Sequence, residues 1–214
     1  MHRLSRAPGQ RGYPVGASRQ PKLLTSAQIE RVDRMFSGTH VLRNRALFFL
    51  QLATGLRVGA LAALNVGDVL RAGGVTRQFH LERTGTRHGQ PRTVYLENEK
   101  ARRALHVYLC NRRPRLDFNP GDPLFVGQKP DANGDYRLTA NTLAHLFPRF
   151  YRDAGIVGAS SDSGRRWFLG QLVRAGIRDT IIQKRAGHAH VSTTRRYLTA
   201  TTTDERRAVR AIDF

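Results

Sequence analysis

The residues best suited to chemistry lie near the C-terminal end of the chain. Gly187-His188 is followed by Ser192-Thr193-Thr194 and then by Tyr197. A glycine–histidine turn, a Ser/Thr cluster of the kind that caps a helix, and a tyrosine at a fixed distance can place an imidazole and a phenol at one small site. Phosphate chemistry is the hypothesis that this segment, residues 187–197, supports.

Two arginine-containing stretches lie upstream of this segment. The first box, residues 53–61, reads ATGLRVGAL and contains Arg57; the second box, residues 164–168, reads GRRWF and contains Arg165. An arginine between two apolar helices is costly to bury without a partner, so a bound phosphate is a physical reason for Arg57. A structural ion pair with Asp68 is the alternative, and spacing alone favours it.

The three stretches together resemble the tyrosine recombinases of the phage integrase family. The similarity covers about residues 23–205, and three motifs in order are more specific than any one alone. It implies that Arg57, Arg165 and His188 hold a scissile DNA phosphate. It also implies that Tyr197 attacks this phosphate to give a 3′-phosphotyrosyl link, without metal, ATP or another cofactor.

The chain departs from the family pattern at two site positions. The family carries a proton-donating lysine in a hairpin, and aligning residues 92–96 with the second strand puts Arg87 there, with Arg83 as second choice. Arginine is a poor proton donor, although it still binds phosphate. Asp162 stands where the family usually has a histidine before the second box. The alternative role for Asp162 is to cap the helix that begins near Gly164.

The sequence pattern predicts a mainly α fold with a small antiparallel β-hairpin, as in the catalytic domain of tyrosine recombinases. The expected strands cover residues 75–82 and 92–96. Seven helices are expected. The first begins after a capping box at Thr25, and the second and third cover residues 41–53 and 57–64. The other four run from Asn98 to about 111, from Thr139 to 153, onward from near 164, and over 180–186.

The chain divides into three predicted parts. Residues 1–22 contain five basic residues and no acid, which predicts a basic flexible arm, either a solvated tail or a contact to the DNA backbone. Residues 23–203 form the expected catalytic domain. Residues 204–214 form a short apolar-faced helix that, by resemblance, docks on a neighbouring protomer. This layout is similar to short recombinases that invert DNA segments and lack an N-terminal DNA-clamping domain.

The composition points to a polyanionic partner. The formal net charge of the 214 residues is +20, and no stretch approaches the length of a membrane span, so nucleic acid is favoured over a membrane. A single cysteine, Cys110, excludes an internal disulfide and fits a reducing compartment. We therefore expect a prokaryotic cytoplasmic protein, associated with nucleoid or plasmid DNA, that assembles on double-stranded DNA as a homo-oligomer, a tetramer by resemblance.

Two alternatives bear on the C-terminal segment. His188 and His190 form a His-x-His pair, but no third ligand follows at a sensible spacing, so no metal site is predicted. Tyr197 taken alone is a core residue by default, and only its spacing from His188 favours a nucleophile. The alternative function is a DNA-binding protein that keeps the fold and the basic surface without recombining DNA.

DNA binding is expected to be mainly electrostatic, because the excess of arginine must neutralise phosphates and release counterions. A plot of log affinity against log salt concentration for duplex DNA should fall steeply, by about 0.9 for each phosphate contacted. Affinity that does not change with salt would contradict both the recombinase and the DNA-binding hypotheses.

Overall fold

The computed structural model describes residues 22–72, 74–82, 91–112 and 119–187. In this part the chain is mainly helical with two two-stranded antiparallel sheets, as the sequence predicted. In chain order the elements are α1 (Ser26–Met35), α2 (Val41–Thr54), α3 (Val58–Ala63), α4 (Val66–Val69), β1 (Leu70–Arg71), β2 (Gly74–Val75), β3 (Gln78–Leu81), β4 (Arg92–Tyr95), α5 (Glu99–Arg112), α6 (Ala140–Asp153), α7 (Ser163–Arg174) and α8 (Asp179–Ala186).

Helix α2 is the centre of the hydrophobic core. Its residues 46–50 are buried on every side, which confirms the prediction from their continuous apolar character. The helix packs against α5 on one side and α7 on another. It ends at Gly55, which has a left-handed backbone (φ 65°) and donates its N–H to the carbonyl of Gln51 at 2.8 Å. This left-handed residue ends α2 immediately before Arg57.

Three predicted helix caps are confirmed. Thr25 forms a reciprocal capping box with Gln28 at the start of α1. Thr139 accepts a hydrogen bond from the N–H of Thr142 at the start of α6, and the Asn98 side chain accepts one from the N–H of Ala101 in α5. Each cap satisfies an N–H that has no partner within its helix, so these helices begin where the local sequence dictates.

The predicted strand over 75–82 is divided between two sheets. Val75 pairs with Leu70 in the β1–β2 hairpin, whereas β3 pairs with β4 over the register from Gln78↔Tyr95 to Leu81↔Arg92. The division falls at residue 76, where the Thr76 N–H bonds back to the carbonyl of Val69. The alternating sequence pattern predicted a strand over these residues, but it did not show that the residues before and after Thr76 pair with different strands.

A second, smaller apolar cluster joins α7 to α8. Its buried members are Leu169, Ile182 and Ala186. Four partly buried residues pack against it: Phe168, Leu172, Val173 and Ile177. The buried apolar contacts of α8 are therefore made with α7.

Several predicted parts lie outside the described residues. They are the N-terminal arm except for Lys22, the hairpin residues 83–90, and the segment 188–214 with the expected C-terminal helix. The boundaries of the three predicted parts therefore remain predictions. In the described part of the chain, no helix is long and apolar enough to cross a membrane.

The substitution Gly55→Ala is expected to destabilise the protein. The left-handed backbone disfavours any side chain, and a Cβ at Gly55 would lie 3.0 Å from Cγ of the Phe168 ring. Left-handed strain and overpacking together predict a loss of about 2–4 kcal/mol in the free energy of unfolding, measured by urea denaturation.

The matched control is Gly59→Ala, because Gly59 lies in α3 with nothing within 4 Å of its Cβ position. This variant is expected to be neutral or more stable by up to about 1 kcal/mol. Equal destabilisation of both variants would show that the contact with Phe168 is not the cause.

Candidate active site

The Arg165 side chain joins the first box to the C-terminal end of α8. Its Nη1 donates a hydrogen bond to the carbonyl of Gly55 at 2.7 Å, and its Nη2 donates one to the carbonyl of Ala186 at 2.8 Å. Gly55 precedes the turn that contains Arg57, and Ala186 precedes Gly187 and His188. The structure thus brings the first box, the second box and the end of α8 at Gly187 to one place.

The two acceptors of Arg165 are well suited to a buried guanidinium. Each belongs to the C-terminal end of a helix, where carbonyls lack intrahelical partners and the helix dipole is negative. Both α2 and α8 end in a left-handed glycine, Gly55 and Gly187. Arg165 is only 1% exposed, so these carbonyls supply the polar partners that its burial requires.

Gln51 forms a second connection between the two arginine boxes. This residue of α2 is fully buried, and its Nε2 donates hydrogen bonds to the carbonyls of Ser161 at 2.7 Å and Leu56 at 3.4 Å. Its amide approaches α7 so closely that a Cβ on Gly164 would lie 3.0 Å from Gln51 Cδ. Sequence reasoning missed Gln51, although a glutamine within an otherwise apolar helix was the available signal.

Arg57 does not form the ion pair that was the alternative to phosphate binding. It is half-buried and stands at the N-cap position of α3 in an extended conformation. The Asp68 carboxylate instead accepts the N–H of Asn65 at 2.8 Å and caps α4. Among the residues with described positions, none forms an ion pair or a hydrogen bond with the Arg57 guanidinium.

The capping role predicted for Asp162 is wrong. Asp162 occupies the N-cap position of α7, but its side chain forms no capping hydrogen bond. Its backbone is helical (φ −92°, ψ −5°), whereas a side-chain cap requires the extended conformation that Thr25 and Thr139 adopt. Hydroxyl groups hold this turn instead: Ser163 Oγ accepts the N–H of Ser160 at 2.9 Å.

The Asp162 carboxylate is exposed and lies three residues before Arg165. In the described ranges it takes part in no ion pair, including with Arg57 or Arg165. Burial raises the pKa of the Tyr151 hydroxyl well above its usual range, and the negative charge of Asp162 contributes to this rise. The Asp162 carboxylate, which has no ion-pair partner among the described residues, therefore lies within one helical turn of Arg165.

Arg92 is a site residue that sequence reasoning did not identify. It begins β4, and its guanidinium packs against Gly187: a Cβ there would lie 2.8 Å from Arg92 Cζ. Burial lowers the pKa of Arg92, and the positive charge of Arg57 lowers it further. The only available signal was its position in the second strand, because the contact with Gly187 joins residues far apart in the sequence.

Arg185 connects α8 to β4 beside this cluster. Its Nη1 donates a hydrogen bond to the carbonyl of Thr93 at 3.1 Å, and its guanidinium lies 4.2 Å from the centre of the Tyr95 ring. A largely apolar cavity of about 250 Å³ lies between β4, α7 and α8 at this junction. The β4 strand is thus fixed to the helix that leads to His188.

Three predicted site residues, Arg87, His188 and Tyr197, lie outside the described residues, and their roles stay predictions. Arg57 and Arg165, by contrast, are found on the two sides of the same turn, at Gly55. In the described ranges, no three His, Cys, Asp or Glu side chains are grouped so that they could hold a metal ion.

Comparison with known proteins identifies the family. The model of the phage integrase family matches residues 22–204, so the chain belongs to the phage integrase family. This confirms the resemblance that the three motifs carried. The match includes Arg57, Arg165, His188 and Tyr197 within one continuous region.

Two relatives show the extent of the similarity. The tyrosine recombinase XerD of Neisseria meningitidis serogroup B is 33% identical over 181 residues, which cover 83% of this chain and 58% of that protein. The tyrosine recombinase XerC of Herpetosiphon aurantiacus is 29% identical over 181 residues, with 83% and 55% covered. The chain therefore spans just over half the length of these curated relatives.

Two solved structures confirm the predicted fold class. The crystal structure of XerA recombinase has a TM-score of 0.69 at 24% identity, covering 95% of this chain and 68% of that one. The XerH site-specific recombinase, bound to its palindromic difH substrate, has a TM-score of 0.69 at 22% identity, with 89% and 52% covered. At these identities the likeness establishes the fold.

Arg165→Met is expected to destabilise the domain, because it leaves the carbonyls of Gly55 and Ala186 buried without their donor. Two lost hydrogen bonds to a charged group predict a loss of about 3 kcal/mol or more in the free energy of unfolding. The control is Arg103→Met, since Arg103 is exposed and forms only an i,i+4 contact with Glu99. A similar small effect at both positions would contradict the joining role of Arg165.

Proposed function

We propose that this protein is a site-specific DNA recombinase that cleaves and rejoins DNA through a 3′-phosphotyrosyl intermediate. Membership of the phage integrase family supports this function. The observation that carries it is the double hydrogen bond of Arg165 to the carbonyls of Gly55 and Ala186, since it places the turn of Arg57 beside the residues that precede His188.

The proposed chemistry is a transfer between two oxygen atoms at one phosphorus. Tyr197 Oη attacks the scissile phosphate, a bond forms between Oη and phosphorus, and the bond to the 5′ oxygen breaks. Arg57 and His188 stabilise the negative charge that develops on the non-bridging oxygens, and Arg165, whose Nη atoms hold the carbonyls of Gly55 and Ala186, adds its positive charge beside them. The number of phosphate ester bonds is unchanged, so the 5′-hydroxyl of a partner strand reverses the step without ATP.

The source of the proton for the leaving 5′ oxygen differs from the family pattern. Arg87, in the hairpin between β3 and β4, stands where the family carries a lysine, with Arg83 as second choice. An arginine remains charged near neutral pH and donates poorly, so Arg87 serves to neutralise phosphate charge. The proton then comes from another group, such as His188 or water.

The proposed partner is double-stranded DNA, consistent with a net charge of +20. We further propose that four protomers assemble on the DNA and that the segment 204–214, with Val209, Ile212 and Phe214, docks on a neighbour. The DNA in question is nucleoid or plasmid DNA. These points rest on the family resemblance and on the polar and apolar pattern of the chain.

Tyr197→Phe is expected to abolish the covalent intermediate. The substitution removes one hydroxyl, so folding and DNA affinity should be retained while no bond to phosphorus can form. The measurement is electrophoresis under denaturing conditions after incubation with nicked duplexes that carry the repeats flanking the coding sequence.

Tyr95→Phe is the matched control, because the Tyr95 ring is exposed and stacks on Arg185 through its face. This variant should form the adduct at the wild-type rate. If the wild type itself forms no adduct on any cognate site, the protein binds DNA without recombining it.

Asp162→His is expected to raise the rate of adduct formation by about tenfold or more. An exposed carboxylate without a partner repels an approaching phosphate, and about 1.4 kcal/mol of repulsion slows the step tenfold. Because Asp162 provides no cap, the free energy of unfolding should change by less than about 0.5 kcal/mol. Asp162→Asn, which removes only the charge, separates repulsion from a need for imidazole. Loss of a cleavage that the wild type performs would make Asp162 a working member of the site.

A further inference from the structure

The Arg92 guanidinium has no acceptor among the residues that the structure describes. The side chain is half-buried at the start of β4, beside Gly187. In the part of the chain that the structure describes, no carbonyl or carboxylate accepts a hydrogen bond from it, and no acid pairs with it. A guanidinium carries five N–H donors, and burying its charge without a partner is unfavourable.

A second unsatisfied arginine lies close by. Arg57 is near enough for its charge to lower the pKa of Arg92, and in the described ranges it too has no acceptor. Two neighbouring guanidinium groups repel each other, and this repulsion is unfavourable when no anion is bound. A phosphate group placed between them would offset the repulsion and supply acceptor oxygens that the planar guanidinium groups can bind in pairs.

Arg165 differs from these two residues in what it contacts. Its Nη1 and Nη2 are engaged with the carbonyls of Gly55 and Ala186, and its side chain is 1% exposed. Arg57 and Arg92 are more exposed, and their donors are not engaged by the described residues. The geometry thus separates an arginine that positions the turns from two arginines that are open to an anion.

We infer that Arg92 is a further phosphate-binding residue of the cleavage site, where its guanidinium shares the charge of the bound DNA phosphate with Arg57. The inference rests on the proposed function for the identity of that phosphate. Because Arg92 also packs on Gly187, a bound phosphate in contact with it lies next to the peptide that precedes His188. Arg92 thereby links phosphate binding to the C-terminal end of α8 at Gly187.

The test compares Arg92→Gln with the wild type on two nicked duplexes carrying the flanking repeats. One duplex has the natural scissile phosphate, and the other has a neutral methylphosphonate at that position. Loss of a charge-assisted hydrogen bond should slow adduct formation by about tenfold or more on the phosphate duplex. On the methylphosphonate duplex, the same substitution should change the rate by less than about threefold, since the charge that Arg92 offsets is gone. Equal slowing on both duplexes would overturn the inference and leave Arg92 as a packing residue for Gly187.

Two further variants distinguish the loss of the Arg92 charge from the loss of its packing. Arg92→Lys retains the charge and should recover part of the rate on the phosphate duplex, whereas a packing role that needs the planar group would not be recovered. Arg185→Gln is the matched control, because Arg185 lies at the same junction but has its own acceptor, the carbonyl of Thr93. Its substitution should have the same effect on both duplexes.

A second measurement does not depend on cleavage. For a 30-base-pair duplex of arbitrary sequence, the slope of log affinity against log salt should be shallower by about 0.9 for Arg92→Gln. The exposed Arg103→Gln, which removes the same charge from α5, should leave the slope unchanged. An unchanged slope for Arg92→Gln overturns the inference, while failure of the wild type to form an adduct overturns only the proposed recombination.

Discussion

The arrangement of the site depends on the hydrogen bonds of the buried Arg165 guanidinium. This group lies between the C-terminal ends of α2 and α8 and donates to one carbonyl of each. These helices belong to different apolar clusters, so the two hydrogen bonds connect parts of the fold that share no buried core. A charged, planar donor with two directed hydrogen bonds supplies the orientation that non-directional burial lacks.

The arginines near the site differ in their exposure and in their hydrogen-bond partners. Arg165 is enclosed and bonded to backbone carbonyls, which suits a residue that holds other groups in position. Arg57 and Arg92 are partly exposed, close together and without acceptors among the described residues. The same type of side chain is a structural connector at position 165 and the proposed anion ligand at positions 57 and 92, and burial distinguishes the two roles.

The sequence predicted features that are determined locally and missed those that depend on the tertiary structure. The caps at Thr25 and Thr139 were predictable because the interacting groups lie three residues apart. The cap at Asp162 failed because the tertiary structure sets its backbone to a helical conformation.

The division of the strand over 75–82 and the roles of Gln51 and Arg92 were missed for a related reason. Each depends on a partner distant in the sequence, such as Ser161 for Gln51 or Gly187 for Arg92. The motif arginines Arg57 and Arg165 were found because the family resemblance carries information on tertiary contacts that periodicity does not.

The small size of the cluster that holds α8 has a further consequence. Among the described residues, Leu169, Ile182 and Ala186 are the buried members of that cluster, so separating α8 from α7 exposes much less of the described residues' apolar surface than disrupting the main core would expose. Such an opening would also remove the Ala186 carbonyl from Arg165. Displacement of α8 would therefore separate Gly187 from the turn at Gly55 while the main core stayed folded, so the two sides of the candidate site can come apart without global unfolding of the protein.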